Sequence, residues 1–283
     1  MSDAITIARH ALKEAVRRRV LLVVALLTAA FLGLFALAAF EAFDSLDQTR
    51  GIVPVDEHAL TGGTLLGLAM FVALFLGVVL AVFLTLDAVR GDAERGLLQP
   101  LVVRPVGRTT LLVGRLLAAS AVCAIYVVVV FLAAALITHA AGDFTPSSLA
   151  VPAAGLALGV VTVVAVSLLG TTLLSTTANG IAIFMVFATG LAAGLLGQIG
   201  EGLEVDSLER ASSIISWIVP FEALYQNGLH ALTSDIDGAT GVIVQLGPFG
   251  GASEVSAGIW LWAIAWSAAV LALAAIAFSR RDL

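Results

Sequence analysis

The chain is poor in charge and almost free of lysine. Only 12% of its 283 residues are charged, and Lys13 is the single lysine among 14 basic residues. A soluble domain is about a quarter charged and about half apolar. Here 60% of residues are apolar and the mean hydropathy is +1.07. That leaves too little polar surface to cover a core in water. The single cysteine, Cys123, excludes an internal disulfide and any thiolate metal cluster. The apolar runs are continuous and do not alternate with polar residues, so a transmembrane β-barrel is excluded too. What remains is an all-α integral membrane protein.

An α-helix needs about 20 apolar residues to cross the hydrocarbon of a bilayer. Six stretches qualify: 20–40, 64–86, 111–138, 150–174, 180–199 and 258–278. The first is too long for the apolar part of a signal peptide. Orientation follows from arginine and lysine. With six spans and the N-terminus in the cytoplasm, all of these residues except Arg50 and Arg210 fall inside. Both termini are therefore expected in the cytoplasm of a cell-membrane protein. Most acids fall outside, as suits either a solvated surface in high salt or an attractor for cations.

The cores of the six spans carry no Asp, Glu or Lys. Proton-driven carriers, pumps and charge-ringed channels need ionisable groups at membrane depth, so all three are disfavoured. There is no HExxH metal helix and no GxSxG nucleophile turn. His10, His58, His139 and His230 are scattered, which leaves no haem or metal set. The polar residues that remain as candidates for a pathway are Cys123 and Tyr126, one turn apart in the third span, and Thr171 and Asn179. The last two flank the short inner turn between spans four and five. Packing between helices would account for all four as well.

Three segments lie outside the spans. Residues 1–19 contain a basic amphipathic helix, with Arg9, Lys13 and Arg17 four apart, expected to lie flat on the inner surface. Residues 87–110 form the longest inner loop. It is broken by Gly91, Gly96, Pro100 and Pro105, yet it carries an apolar patch at Leu97, Leu98, Leu101, Val102 and Val103. Such a patch calls for the membrane surface or a partner. Residues 200–257 form an outer segment. Within it, 211–232 reads as a helix pair at the interface, kinked at Pro220, with Trp217 and Tyr225 at headgroup level. The rest of that segment reads as a Gly-rich loop.

If such a bundle transports anything, its energy comes from elsewhere. A P-loop requires a glycine-rich turn ending in lysine, and no glycine precedes Lys13. A separate ATPase subunit is the natural expectation. The loop then gains meaning. Its sequence Glu94-Arg95-Gly96-Leu97-Leu98, followed by Arg104-Pro105-Val106-Gly107-Arg108 and Gly114-Arg115, resembles the ABC-2 type permease family. The flat N-terminal helix, the six spans, the Pro220 segment and the ending Phe278-Ser279-Arg280-Arg281-Asp282-Leu283 are similar to it as well. The likeness covers nearly the whole chain, and within the family it is similar to the branch that includes the permease for nitrous oxide reductase maturation. Pro100 departs from the pattern, since it interrupts what would otherwise continue as a coupling helix.

The resemblance implies a permease subunit of an exporter, not itself an enzyme. It implies a second permease chain, identical or different, and an ABC ATPase that holds ATP and magnesium. This chain itself would bind no cofactor, metal or nucleic acid. Asp92, Glu94, Arg95, Gly96, Leu97, Leu98, Arg104, Pro105 and Arg108 would couple to the ATPase. The helix carrying Arg9, Lys13 and Arg17 would act as an elbow for the first span. The alternative is a membrane anchor or assembly protein that binds a partner and moves nothing.

Overall fold

The computed structural model describes residues 19–48, 56–86, 108–234 and 256–279. Among these residues there is no strand, and the helices follow in order. They are α1 (Arg19–Gln48), α2 (Glu57–Thr85), α3 (Arg108–Gly142), α4 (Ala150–Leu173), α5 (Thr176–Leu203), α6 (Asp206–Ile218), α7 (Pro220–Thr233) and α8 (Gly258–Ser279). Six of them, α1 to α5 and α8, are long and apolar enough to cross a membrane. The chain is a multi-pass membrane protein, all-α as its composition requires.

Several helices outrun their apolar stretches. α3 has 35 residues, which at 1.5 Å per residue is roughly 50 Å, well beyond a hydrocarbon layer of about 30 Å. Helical hydrogen bonding continues into the polar margin because an unpaired backbone near lipid is costly. The side-chain hydroxyls follow the same rule. Thr28, Thr138, Thr162, Thr189 and Ser267 each donate to a carbonyl three or four residues earlier in their own helix.

The spans alternate in direction. At one end lie the turn 143–149 and the turn at Glu204, whose left-handed backbone (φ 55°) reverses the chain between α5 and α6. Asp143, Glu201, Glu204, Asp206 and Glu209 make this the acidic end. α2 starts here with Asp56 as its N-cap, the carboxylate accepting from the Ala59 amide at 3.0 Å. At the opposite end α4 passes to α5 through the turn 174–175, and α2 and α3 lead toward residues 87–107. This is the loop end.

α4 is the hub. It touches α2, α3, α5, α7 and α8. Leu66, Met70, Leu74, Val127, Phe131, Val160 and Leu168 form the middle of the core. α1 is bound mainly through one face, on which Val24, Phe35, Ala39 and Phe43 are buried, while Leu22, Leu26, Leu34 and Leu37 are exposed. In water such a face would aggregate. Against lipid tails it carries no penalty.

The helix pair expected near Pro220 is present, and its break falls at that proline: α6 ends at Ile218 and α7 opens with Pro220. Proline suits this position because the first turn of a helix has no amide bond to lose. The pair starts at the acidic surface but does not stay there. Tyr225, expected at headgroup level, is 1% exposed and packs in the main core.

Candidate functional site

Most residues expected to couple to a partner lie outside the described residues. Arg9, Lys13 and Arg17 do, and so do Asp92, Glu94, Arg95, Gly96, Leu97, Leu98, Arg104 and Pro105. Arg108 is the first residue of α3. What is described is the root of the loop. Thr85, the last residue of α2, is buried and its hydroxyl bonds to that of Ser167 on α4 at 2.6 Å. The amide of Asn179, near the start of α5, donates to the Ser167 carbonyl at 3.2 Å and reaches its hydroxyl at 3.5 Å. Three helices are thus tied together by neutral polar groups at the loop end. The Asn179 side-chain carbonyl is buried without a hydrogen-bond partner. It lies on Gly170, where a methyl group would overlap it.

Of the other pathway candidates, Cys123 and Thr171 are buried and Tyr126 is half-buried. Cys123 is buried in the core. The Tyr126 hydroxyl bonds to that of Thr28 on α1. Thr171 is buried and donates to the Leu168 carbonyl at 2.8 Å. Tyr126 and Cys123 share one region of α3, whereas Thr171 and Asn179 sit together at the loop end. None of the four lines the apolar cleft that opens beside Trp266, between Val163, Ile183, Phe187 and Phe221.

The acidic end holds a feature of a different kind. α6 runs back along α5, and the neighbours change steadily. Gly200 of α5 lies by Leu208 and Glu209, Gly197 by Ser212, Gly194 by Glu222 and Gln226, and Gly190 by Phe221. From Gly200 to Gly190 the hairpin therefore descends by roughly 15 Å, about half the hydrocarbon thickness. α7 then climbs along α4, with Phe221 at Gly159, Leu224 at Gly155 and Gly228 at Pro152. The approach is close because the facing residues are glycines: a Cβ on Gly155 would stand 2.8 Å from the Leu224 carbonyl oxygen. The hairpin tip is held by Phe221, stacked on Phe187 with ring centres 5.4 Å apart. Its outer side is held by the Trp262 indole, which donates to the Trp217 carbonyl at 3.0 Å.

Next to Phe221, in the first turn of α7, lies Glu222, 1% exposed. Ser216 donates to one carboxyl oxygen at 3.2 Å, and the Gln226 amide donates to the other. Burial pushes the carboxyl up from its ordinary value of 4.5 to about 7, against the opposing pull of these two hydrogen bonds. The Tyr225 hydroxyl is buried without a partner, and burial together with the neighbouring Glu222 pushes it up as well. Reading the six spans alone misses Glu222, because its segment is too short and too polar to count as a span. The available signal was the run Gly190, Gly194, Gly197 and Gly200, which lets another helix lie close along α5. Among the described residues no three His, Cys, Asp or Glu side chains converge as metal ligands would.

Six apolar helices, a re-entering helix pair and a polar tie at the root of a long loop describe a transport scaffold. The family model for the ABC-2 family transporter protein matches residues 5–283, almost the full length. The chain belongs to the ABC-2 transporter family. Curated proteins give no match. Members of this family form the membrane part of a complex with an ATPase subunit, so the permease reading now rests on the whole chain.

Proposed function

We propose that this chain is the permease subunit of an ATP-driven exporter in the cell membrane, with both termini in the cytoplasm. Two permease chains form the pathway, and a separate ATPase, carrying ATP and magnesium, docks on the 87–110 loop. The observation that carries this reading is the family match over residues 5–283. Two further points support it. The sequence has no P-loop lysine, which fits an energy source supplied by a partner. The loop also departs from the end of α2, where Thr85 is tied to α4 and α5 through Ser167 and Asn179. Movement of the loop by the ATPase would therefore reach three helices at once, which is the kind of discrete packed element that carries coupling.

Purification in a gentle detergent from the native membrane, followed by mass spectrometry, tests the partnership. A near-equimolar soluble protein with a P-loop is the expected companion. Recovery of the chain alone, where other membrane complexes survive, would return the weight to a non-transporting anchor. Glu94→Arg tests the loop. It reverses a charge in the docking segment and is expected to weaken ATPase binding and abolish transport while expression stays normal. Full transport by that variant would remove Glu94 from coupling.

A further inference from the structure

The α6–α7 hairpin enters the bundle from the acidic end and turns back near mid-depth. Its seat on the bundle is glycine surface on α5 and α4. Its one buried carboxyl, Glu222, is pressed against Gly194 of α5, where a methyl group would overlap it. Both hydrogen bonds to that carboxyl come from the hairpin itself, from Ser216 on α6 and Gln226 on α7. Gly194, the bundle residue facing it, offers no side-chain donor. A neutral carboxyl fits such a seat: its proton can point to the Ser216 hydroxyl, which then accepts, while the Gln226 amide donates to the other oxygen. An ionised one has its charge pressed against helix backbone whose amides are already bonded, with no compensating cation among the described residues.

We propose that the hairpin is a proton-controlled latch: protonated Glu222 keeps it seated between α4 and α5, and ionisation of Glu222 releases it toward the acidic surface.

Among the described residues, the other ionisable groups do not supply a counter-charge. On the hairpin they are Tyr225, buried and neutral, and His230 in the last turn of α7. At the far, surface end of α6 are Asp206, Glu209 and Arg210, with Arg210 beside Asp206 at 3.6 Å, both exposed. α5 contributes only Glu201, at its surface end. α2 contributes Glu57 and His58 at its own start, and α4 and α8 contribute none. The same contacts argue against a cation site. Gln226 presents its amide N–H, not its carbonyl oxygen, to the carboxyl, so it does not complete a shell of oxygens around a metal.

The direction follows from linkage. Seated, Glu222 keeps its proton up to about pH 7; released into water it loses it near the ordinary 4.5. Between these values each rise of one pH unit lowers the seated-to-released ratio by up to about tenfold. Above about 7 both states are ionised and the ratio stops falling. Acidification therefore seats the hairpin and alkalinity loosens it. The latch does not depend on an ATPase partner, so it can be tested apart from the transport reading.

The test is hydrogen exchange by mass spectrometry on the full-length chain in lipid nanodiscs between pH 5 and 8, corrected for intrinsic exchange. In the wild type, protection of residues 206–233 is expected to fall by up to about tenfold per pH unit up to about 7 and then level off. Glu222→Gln should hold the low-pH protection throughout. Glu222→Met, uncharged and of similar size, should do the same and covers the case of an ill-tolerated amide. His230→Gln should retain the wild-type profile. A wild-type profile flat with pH would overturn the latch. So would a Glu222→Gln and Glu222→Met pair that still follows the wild-type slope, or a His230→Gln variant that loses it.

Discussion

At the loop end, Thr85, Ser167 and Asn179 join three helices through neutral hydrogen bonds. At the acidic end, Glu222 is buried against Gly194 with both of its partners on its own hairpin. Both are polar groups in an otherwise apolar bundle, but their bonds run differently. The loop-end bonds cross between helices, so they tie the bundle together at any physiological pH. The Glu222 bonds stay within the hairpin, so they satisfy the side chain without fastening it to the bundle. Attachment there relies on close glycine contact, on the Phe221–Phe187 stack and on the Trp262 bond to the Trp217 carbonyl. The first arrangement suits a rigid transmitter, the second a part that moves.

The sharpest way to break this contrast is to deny the hairpin its seat. Gly155→Leu puts a side chain where the Leu224 backbone carbonyl lies, and backbone cannot step aside as a side-chain tip can. The expected loss is about 3 kcal/mol or more, the upper range for overpacking, read as a large drop in melting temperature in detergent. An unchanged melting temperature would mean that α7 does not lie on α4 as described.

A smaller effect, with a distinctive sign, comes from Glu222→Gln. The folded carboxyl titrates at about 7 and the unfolded one near 4.5. Because the folded value is raised, burial costs nothing below 4.5, costs progressively more from there to about 7, and costs its full amount above. At 1.36 kcal/mol per unit the ceiling is about 3 kcal/mol. The variant should therefore be more stable than wild type at pH 8, by up to that amount, and equal to it near pH 4.5. Melting curves across this range check it. A variant less stable at pH 8 would show that the carboxylate is held by a charge not accounted for.

Ser167→Ala sharpens the other side of the comparison. It removes the bond to Thr85 and one of the two contacts of the Asn179 amide. A loss of about 1 kcal/mol is expected, with no dependence on pH between 5 and 8, since every group involved is neutral. A pH-dependent loss would end the contrast between the two clusters. The smallest effect belongs to Trp262→Phe, at an exposed pair. Losing the indole bond to Trp217 and an edge-on ring contact should cost about 0.5–1 kcal/mol. It should also raise hydrogen exchange in α6 more than in α2.

Much of this architecture was legible beforehand. Val20 to Phe40 has no charge and is rich in leucine, valine and phenylalanine, and no soluble arrangement could bury it. The same holds for the other five spans. The break at Pro220 was legible because proline cannot donate in a helix interior. The polar group around Thr171 and Asn179 was visible as a cluster in an apolar chain, although not which hydroxyl bonds to which amide. Glu222 was not legible as a buried residue. Its segment has a charge, a glutamine and a histidine within 14 residues, the profile of a surface helix. Tyr225 misled for the same reason, since a tyrosine near a membrane surface has an apolar ring and a polar tip that suit the interface.

The sequence by itself determined the number of spans and the family, because continuous apolar length and the loop motif depend on composition and order alone. Only the tertiary structure decided the fate of residues 220–233. Their burial comes from glycines on two other helices, Gly194 and Gly155 among them, which let a polar hairpin approach closely enough to shed water. Burial of that kind is a property of the gap between elements, and no single segment encodes it.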